Sequence, residues 1–234
     1  MSWTTNRILS MLPDSVVTRL RPHLERVELQ QGEHLFEADQ QLRHVFFFEG
    51  GLSSEIAGGK GSKTIEVGCV GLEGFSSVPA VLGVDSTPHF AFMQCGGPAL
   101  RIEVEALRSA MDACASLRQL LTRYAHVFLI QVATTALADG RYGVEKRLAR
   151  WILMGRDRIG YELPLTHDFL ALMLGVRRPS VTDALHRLEG KHAIRAERGL
   201  ILIKDIEKLK ELASPIYGIA EKEYEQHIRH DWRF

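Results

Sequence analysis

The chain has 234 residues, 45% of them hydrophobic, and its 29 basic residues balance its 29 acidic ones. This length and apolar content predict two compact domains with real cores, and the neutral overall charge gives no sign of a polyanion partner. The three cysteines are widely spaced, which argues against a disulfide scaffold, and no run of about twenty apolar residues predicts a membrane span. We therefore expect a cytoplasmic protein.

Short apolar runs separated by glycine-rich turns characterise residues 25–103. Many short strands at this density predict a small antiparallel barrel or roll. The segment 58–62, with the sequence Gly-Gly-Lys-Gly-Ser, is expected to form a hairpin turn. The predicted strands are Val27–Leu29, His34–Phe36, Val45–Phe48, Thr64–Val70, Phe90–Gln94 and Leu100–Ile102.

A long helix is predicted from about 104 to 138, with too many apolar positions for one stripe. One side is expected to pack on the roll and the other on a second copy of the chain, giving a symmetric dimer. Burial within a single monomer is the alternative. The predicted dimer interface consists of Leu117, Leu121, Tyr124 and Phe128. Two glycines in the segment 139–143 predict a hinge after the helix.

Residues 165–188 have the pattern of two short helices joined by a tight turn. Thr166 can cap the first helix, Gly175 suits the corner, and Pro179 fits the first turn of the second helix because its missing N–H is not needed there. Residues 191–203 predict a strand, a turn and a second strand, which together would form a wing. An ordinary helical hairpin is the alternative, but the combined pattern favours a DNA-reading module.

The charge distribution agrees with that interpretation locally. Residues 141–204 carry 13 basic and 7 acidic residues, a net charge of +6. We expect one group of side chains to contact phosphates and another to contact base edges, because phosphate contacts position such a module and base contacts specify its sequence. The predicted DNA-binding residues are Thr166, His167, Arg177, Arg178, Pro179, Ser180, Thr182, Asp183, His186, Arg187, Lys191, Arg195 and Arg198.

The last segment, 214–234, extends beyond the reading module. Its aromatic residues Tyr217, Tyr224, Trp232 and Phe234 predict that it docks on the rest of the chain. Three of its other residues, His227, His230 and Asp231, have a loose metal-like spacing but offer no fourth ligand. We interpret them as a solvated helix face and expect no metal.

This order of a roll, a long helix, a hinge and a winged helix-turn-helix resembles the Crp/Fnr superfamily of bacterial transcription regulators. The most specific parts of the resemblance are residues 175–185, 144–153 and the roll motif Gly71–Phe75. It implies an α+β fold: a jelly-roll-like antiparallel β-roll sensor domain of the cyclic-nucleotide-binding type at 1–138, including the dimerisation helix, a winged helix-turn-helix domain at 139–213, and the extension at 214–234.

The resemblance also implies roles for particular residues. Arg178 matches an arginine that pairs with guanine in the family, and Ser180 matches a hydroxyl that contacts phosphate. The glutamate common after that arginine is replaced by Pro179, and Asp183 occupies the second base-reading position, so the operator should differ from the best-known ones. The implied partners are a palindromic double-stranded operator, a second copy of the chain and RNA polymerase.

The sensor departs further from the family pattern. A buried phosphate needs a matched charge, yet Pro88 and His89 stand where the family has an Arg-Ser or Arg-Thr pair, and residues 71–94 contain no lysine or arginine. Cyclic AMP is therefore not expected to bind, no cofactor is predicted, and the effector is unknown. The effector pocket is predicted to include Glu73, Gly74, Phe75, Ser76, Ser77, His89 and Phe90.

Other functions can be judged by the chemistry that they need, and a DNA-binding structural protein without a ligand also stays open. An iron–sulfur sensor needs clustered cysteines near the N-terminus, but the first cysteine is Cys69. A haem sensor would need an axial ligand, for which His89 is the candidate. A cupin-like metal or small-molecule enzyme would need converging histidines, and the roll has no His-x-His pair. A regulator that is not an enzyme remains the favoured interpretation.

Overall fold

A computed structural model of the chain describes residues 3–58 and 63–230. Helix α1 (Asp14–Leu20) precedes a roll of seven strands, with the short helix α2 (Val78–Val81) between the fifth and the sixth. The strands are β1 (Glu25–Leu29), β2 (His34–Phe36), β3 (His44–Phe48), β4 (Leu52–Ala57), β5 (Ile65–Val70), β6 (Phe90–Cys95) and β7 (Gly97–Glu103). They form two antiparallel sheets with the orders β1-β7-β3 and β2-β6-β4-β5. The expected roll is therefore confirmed.

Strand β4 is the one that the sequence did not predict. Its Leu-Ser-Ser-Glu sequence breaks the apolar pattern, yet Ser53, Ser54 and Glu55 are all buried because β4 lies between β5 and β6 in the sheet. Most of the expected hairpin turn, 59–62, lies outside the described residues.

Two helices follow the roll where one was expected. Helix α3 (Val104–Ala113) ends at Cys114, which is extended (φ −139°, ψ 100°), and α4 (Ala115–Arg141) begins immediately after it. By length and composition alone, helix α4 is long and apolar enough to cross a membrane, but many of its apolar residues are buried against the roll. The expected hinge is also shorter than 139–143, because α4 continues through Arg141 and only Tyr142 and Gly143 separate it from α5 (Val144–Ile159).

The reading module matches its prediction closely. Helix α6 (His167–Leu174) and helix α7 (Arg178–Gly190) flank the turn, and the wing consists of β9 (Ile194–Glu197) and β10 (Leu200–Ile203). A short strand, β8 (Glu162–Leu163), completes a sheet of order β8-β10-β9. Helix α8 (Ile206–Ala213) then packs on α5.

The C-terminal extension returns to the sensor. Helix α9 (Ile219–Tyr224) and the π-helical segment Glu225–His230 pack along α4, with Tyr224 and Ile228 buried in the core of the roll domain. The docking that the aromatic residues predicted is thus present for Tyr224 and, by a half-buried position, for Tyr217. The other two, Trp232 and Phe234, lie outside the described residues, as does Asp231.

Candidate nucleic-acid interface and sensor cavity

Local chemistry builds the helix-turn-helix as its sequence predicts. The Thr166 hydroxyl accepts a hydrogen bond from the Phe169 amide at 3.3 Å and caps α6. At the corner, Gly175 adopts a left-handed conformation (φ +59°), which glycine reaches without the steric cost that a Cβ would add. The helix faces that meet each other are fully apolar and buried. Their residues are Leu170, Leu174, Val181, Leu185 and Leu188.

The opposite face of α7 is open to solvent. Its exposed residues are Arg177, Arg178, Pro179, Asp183, His186 and Arg187, while Ser180 and Thr182 are half-buried. Pro179 lies in the first turn, as expected. The Arg178 side chain lies 3.4 Å from the Asp168 carboxylate, but both groups are well exposed. Such a surface pair stabilises by less than about 1 kcal/mol, so Arg178 can exchange it for a nucleic-acid contact at little cost.

Some of the predicted contact residues already have partners within the module. The His167 ring nitrogen Nδ1 lies 3.0 Å from the Thr182 hydroxyl and joins α6 to α7. Arg187 donates to the Glu145 carboxylate at 3.1 Å, and Lys191 pairs with the same carboxylate. These two cations are therefore tied to the start of α5.

The wing presents its own cations. Arg195 pairs with Glu197 at 3.0 Å, and Arg198 is exposed at the hairpin tip beside Gly199, where φ is +73°. The tip is the part of the wing most open to a phosphate backbone.

An apolar interface joins this module to the roll. The ring of Phe169 in α6 packs against Phe92 of β6, with 6.2 Å between the ring centroids. A Cβ added at Gly175 would come within 2.7 Å of the Ile65 side chain, so the corner of the helix-turn-helix rests on β5. The reading module and the sensor thus share one continuous cluster of buried side chains.

Buried polar contacts cross the same interface. Arg158, at the end of α5, donates from Nε to the Glu73 carboxylate at 2.8 Å, and the Gly71 amide donates to the other oxygen at 3.1 Å. The side chains of Arg158 and Glu73 are only 7% and 14% exposed. A second link is the Trp151 indole N–H, which donates to Glu66 at 2.6 Å. Helix α5 is therefore fastened to the roll by hydrogen-bonded carboxylates.

Glu73 was predicted in the effector pocket, and it lines a cavity of about 490 Å³ at the junction with α5. Its carboxylate faces Arg158, a residue 85 positions later that no local pattern singles out. Gly74 is buried with no room for a side chain, since an added Cβ would lie 1.8 Å from the Tyr124 hydroxyl oxygen. The Phe75 ring packs on Tyr124 in a tilted arrangement with 4.7 Å between the ring centroids, and the Ser76 hydroxyl accepts from the Phe46 amide at 3.3 Å. These four residues belong to the core and to the domain junction.

A separate, mainly apolar cavity of about 430 Å³ lies between the roll, α2 and α4. Among the predicted pocket residues, His89 is on its rim, whereas Phe90 stacks on His34 at 5.6 Å instead. None of the described residues that line it is a lysine or an arginine. They are Phe36, Glu55, Val67, Val78, Pro79, Leu82, Thr87, His89, Thr122, Ala125, His126, Phe128, Leu129 and Val132.

Among the polar residues that line this cavity, Glu55 is the buried one. Glu55 is 6% exposed, and burial raises the pKa of its carboxyl to about 8, although a backbone hydrogen bond from Ser77 opposes the shift. One carboxyl oxygen of Glu55 and the hydroxyl of Ser77 have no hydrogen-bond partner within the described part of the chain. Ser77, a predicted pocket residue, thus lies beside Glu55 in a left-handed conformation (φ +60°).

Replacing Glu55 by glutamine should flatten the pH dependence of folding. The pKa of this carboxyl is about 8 in the folded state against an ordinary value of 4.5, so the stabilisation from the protonated carboxyl is complete below pH 4.5 and is lost as the pH rises through 8. Each such group changes the free energy of unfolding by up to about 1.4 kcal/mol per pH unit in that window. Glu66, whose pKa burial raises to about 7, would keep part of the slope. Urea unfolding at pH 5, 6, 7 and 8 measures this pH dependence. The same slope in Glu55→Gln as in the parent would contradict the raised pKa of Glu55.

The residues predicted for the dimer interface on α4 face into the chain itself. Leu117, Leu121 and Tyr124 are at most 2% exposed because they fill the core beneath the roll. Phe128 also points inward, since a Cβ added at Gly68 of β5 would come within 2.7 Å of its ring. The exposed stripe of α4 lies on another face, and its members follow each other at steps of four and three. They are Thr122, His126, Leu129, Ala133, Ala136 and Gly140.

The haem and cupin alternatives depend on the roll histidines. His89 is exposed, and its Nδ1 accepts from the Gly58 amide at 3.4 Å. His34 pairs with Glu37 at 2.9 Å. Within the described ranges, the three roll histidines take part in no cluster of metal-ligating side chains. No observation favours either alternative.

Comparisons with known proteins find similarity to a Crp-like domain and to solved structures of bacterial regulators. A family model described as a Crp-like helix-turn-helix domain matches residues 146–212. A transcriptional regulator of the Crp/Fnr family from Eubacterium rectale has 16% sequence identity and a TM-score of 0.68, over 86% of this chain and 95% of that one. FixK2 from Bradyrhizobium japonicum has 14% identity and a TM-score of 0.69, over 82% and 98%. The c-di-GMP-responsive global regulator CLP from Xanthomonas campestris has 15% identity and a TM-score of 0.64, over 82% and 99%.

A comparison with proteins of curated function finds no match. At the identities given above, the solved structures establish the fold. The Crp-like domain is established by its own match, which spans α5 to α8 almost completely.

Proposed function

We propose that this chain, which has the fold of Crp/Fnr superfamily regulators and carries a Crp-like helix-turn-helix domain, is a dimeric transcription regulator that reads DNA sequence through α7. The observation that carries the proposal is the face of α7. It combines a basic start with exposed polar groups, while the opposite face is packed in the module's core. A major-groove reader needs this division.

The exposed side chains divide into two roles. Arg178, Asp183 and His186 can reach base edges from one side of α7, and Thr182 lies beside them, half-buried. The phosphate contacts come from the start of α6 and from the wing tip at Arg198, which flank α7. Arg187 and Lys191 would have to leave Glu145 to join them.

Arg178→Ala should weaken binding to the specific operator by about 1–3 kcal/mol, or roughly 5- to 150-fold, with little effect on random DNA, because an arginine that pairs with guanine discriminates between bases. Arg198→Ala is the matched control. As a phosphate contact, it should weaken binding to both DNAs equally and reduce the salt dependence. Fluorescence titrations of both variants on both DNAs measure these effects. Equal losses for Arg178→Ala on the two DNAs would make it a phosphate contact.

The sensor is proposed to bind an uncharged, largely apolar effector with a hydrogen-bonding group. The cavity beside α4 supports this, because its described lining has no lysine or arginine to match a phosphate and its buried polar residue is Glu55, with Ser77 next to it. Effector binding would act on the helix that leads into the reading module. RNA polymerase as a partner stays a prediction.

Cyclic AMP should accordingly leave the melting temperature unchanged. A ligand at about one hundred times its Kd stabilises a folded protein by roughly 2.7 kcal/mol, which is easily detected as a melting shift. Differential scanning fluorimetry over a cyclic AMP titration measures it. A saturable rise in melting temperature would overturn this part of the proposal.

The dimer is proposed to form along the exposed stripe of α4. Leu129 is 62% exposed there, and its neighbours Ala133, Ala136 and Gly140 are small enough for two helices to approach closely. Steps of four and three residues are those of a two-stranded coiled coil. The roll contributes Leu82, which is 59% exposed and lines the same cavity as Leu129.

A further inference from the structure

We propose that His126, Glu223 and His227 bind one divalent transition-metal ion, with zinc as the best fit, and that this ion fastens the C-terminal extension to α4. The site uses no residue assigned to DNA reading, but His126 also belongs to the exposed stripe of α4. Metal binding is measured without DNA, so its failure would leave the proposed function intact.

The spacing of the three ligand atoms supports an ion. The distances from Glu223 Oε2 to His126 Nε2 and to His227 Nε2 are both 3.3 Å, and all three atoms lie within 4.8 Å of one another. Zinc binds histidine nitrogen and carboxylate oxygen at about 2.0–2.2 Å, so two ligands of a tetrahedral site lie about 3.3–3.6 Å apart. A charge-assisted hydrogen bond would be shorter, about 2.7–2.9 Å. Two edges of the triangle therefore have the length of a coordination edge.

The neighbouring residues hold the ligands in place. Glu223 and His227 are four residues apart, on one face of the extension. Tyr224, which lies between them in the chain, packs against Tyr124 and is 6% exposed. Ile228, the next residue after His227, is fully buried in the roll core. Arg123 of α4 donates to the His227 carbonyl at 3.1 Å. These anchors fix the rotation of the extension, and such preorganisation is what a metal site requires.

The ligand set also suits the ion. Two imidazoles and one carboxylate are a donor set that zinc and ferrous iron both accept, with at least one position left for water. The side chains of His126, Glu223 and His227 are 50%, 31% and 32% exposed, so water can reach that position. The ring centroids of His126 and His227 are 5.9 Å apart at an interplanar angle of 79°, which leaves room between them.

The position of the site gives the ion a structural consequence. His126 lies near the amino-terminal end of the exposed stripe of α4 and also on the rim of the sensor cavity. An ion there would link the extension, the dimer helix and the mouth of the cavity. The sequence points to one of these ligands and not to the set. His227 has a loose metal-like spacing with His230 and Asp231, whereas His126 lies 101 residues earlier in α4.

Zinc titration of the full-length, chelator-treated protein tests the proposal. We expect one saturable site per chain and a rise in melting temperature. Glu223→Gln and His126→Ala should each lower the affinity at least about tenfold, because even the loss of a residue that only supports a metal ligand costs about 10- to 100-fold. Glu225→Gln is the matched control, because it removes a carboxylate from the same segment that pairs with Arg229.

Cobalt provides a second readout. Substitution of Co²⁺ should give the intense visible absorption of a site with four or five ligands, and this absorption should vanish in Glu223→Gln and persist in Glu225→Gln. Zinc binding by Glu223→Gln and His126→Ala as tight as in the parent would overturn the proposal. So would the absence of saturable binding to a parent protein that circular dichroism shows to be folded.

Discussion

Replacing Ala133 by arginine should convert the protein into a monomer that binds its operator about 100-fold more weakly or worse. Ala133 lies in the middle of the exposed stripe of α4, between Leu129 and Ala136. In a monomer the new guanidinium stays in water, whereas in the dimer it would be buried against a close helix without a partner, at a cost of several kcal/mol. A two-fold operator is bound through two linked modules, and losing that linkage lowers affinity by about 10²–10⁴.

Sedimentation and operator titration of the same preparation measure both parts. Ala133→Ser is the matched control, since it keeps the small volume and should remain dimeric. Phe128→Asp is unsuitable, because Phe128 packs on Gly68 and the change would damage the monomer itself. An Ala133→Arg protein that remains dimeric and binds DNA fully would place the interface elsewhere.

Breaking the Arg158–Glu73 pair should release the reading module from the sensor. Arg158→Met leaves the Glu73 carboxylate 14% exposed with the Gly71 amide as its remaining partner. Removing one member of a buried ion pair costs about 3–5 kcal/mol, so the variant should lose roughly 3 kcal/mol of docking free energy. Because the pair spans the junction between α5 and the roll, the equilibrium constant for docking should fall by about two orders of magnitude.

Hydrogen exchange measures this release directly. The Cys69 amide, which donates to Gln131 at 2.7 Å, and the amides of α6 should exchange faster in Arg158→Met. The double variant Glu73→Gln with Arg158→Met removes both charges and should recover most of the protection, since an uncharged pair leaves no buried charge unpaired. If the amides of Arg158→Met exchange at the same rates as those of the parent, the pair does not hold the junction.

Local chemistry made the helix-turn-helix predictable. A threonine cap, a corner glycine and a proline in the first turn of α7 each act within a few residues, and all three are found where their sequence places them. The roll was predictable for a similar reason, because its strands are marked by their own apolar runs. The exception is β4, whose buried serines and glutamate are held by strands on both sides.

The face of α4 could not be chosen from sequence. Two stripes on this helix have steps of three and four residues, one at 121, 124 and 128 and another at 122, 126, 129, 133, 136 and 140. The bulkier stripe suggests an interface, but bulk is also what fills a core, and here it packs under the roll. In the proposed dimer, small residues such as Ala133 and Gly140 on the exposed stripe would let two helices approach closely.

Long-range pairings account for the rest. Glu73 meets Arg158 and His126 meets His227 across 85 and 101 residues, and no local pattern links either pair. Each residue taken alone has a plain interpretation, as an effector ligand for Glu73 and a solvated histidine for His227. Only the docking of α5 and of the C-terminal extension on the sensor brings these groups together.

Selection of bound sequences from a pool of random double-stranded DNA tests the central claim most directly. The parent protein and the released Arg158→Met variant should be used together, because docking on the sensor can hold the reading module in a less competent orientation. We expect at least one of them to enrich a two-fold symmetric motif, and we expect the addition of Arg178→Ala to relax one position in each half-site. Enrichment of no motif by either protein would contradict a sequence-specific regulator.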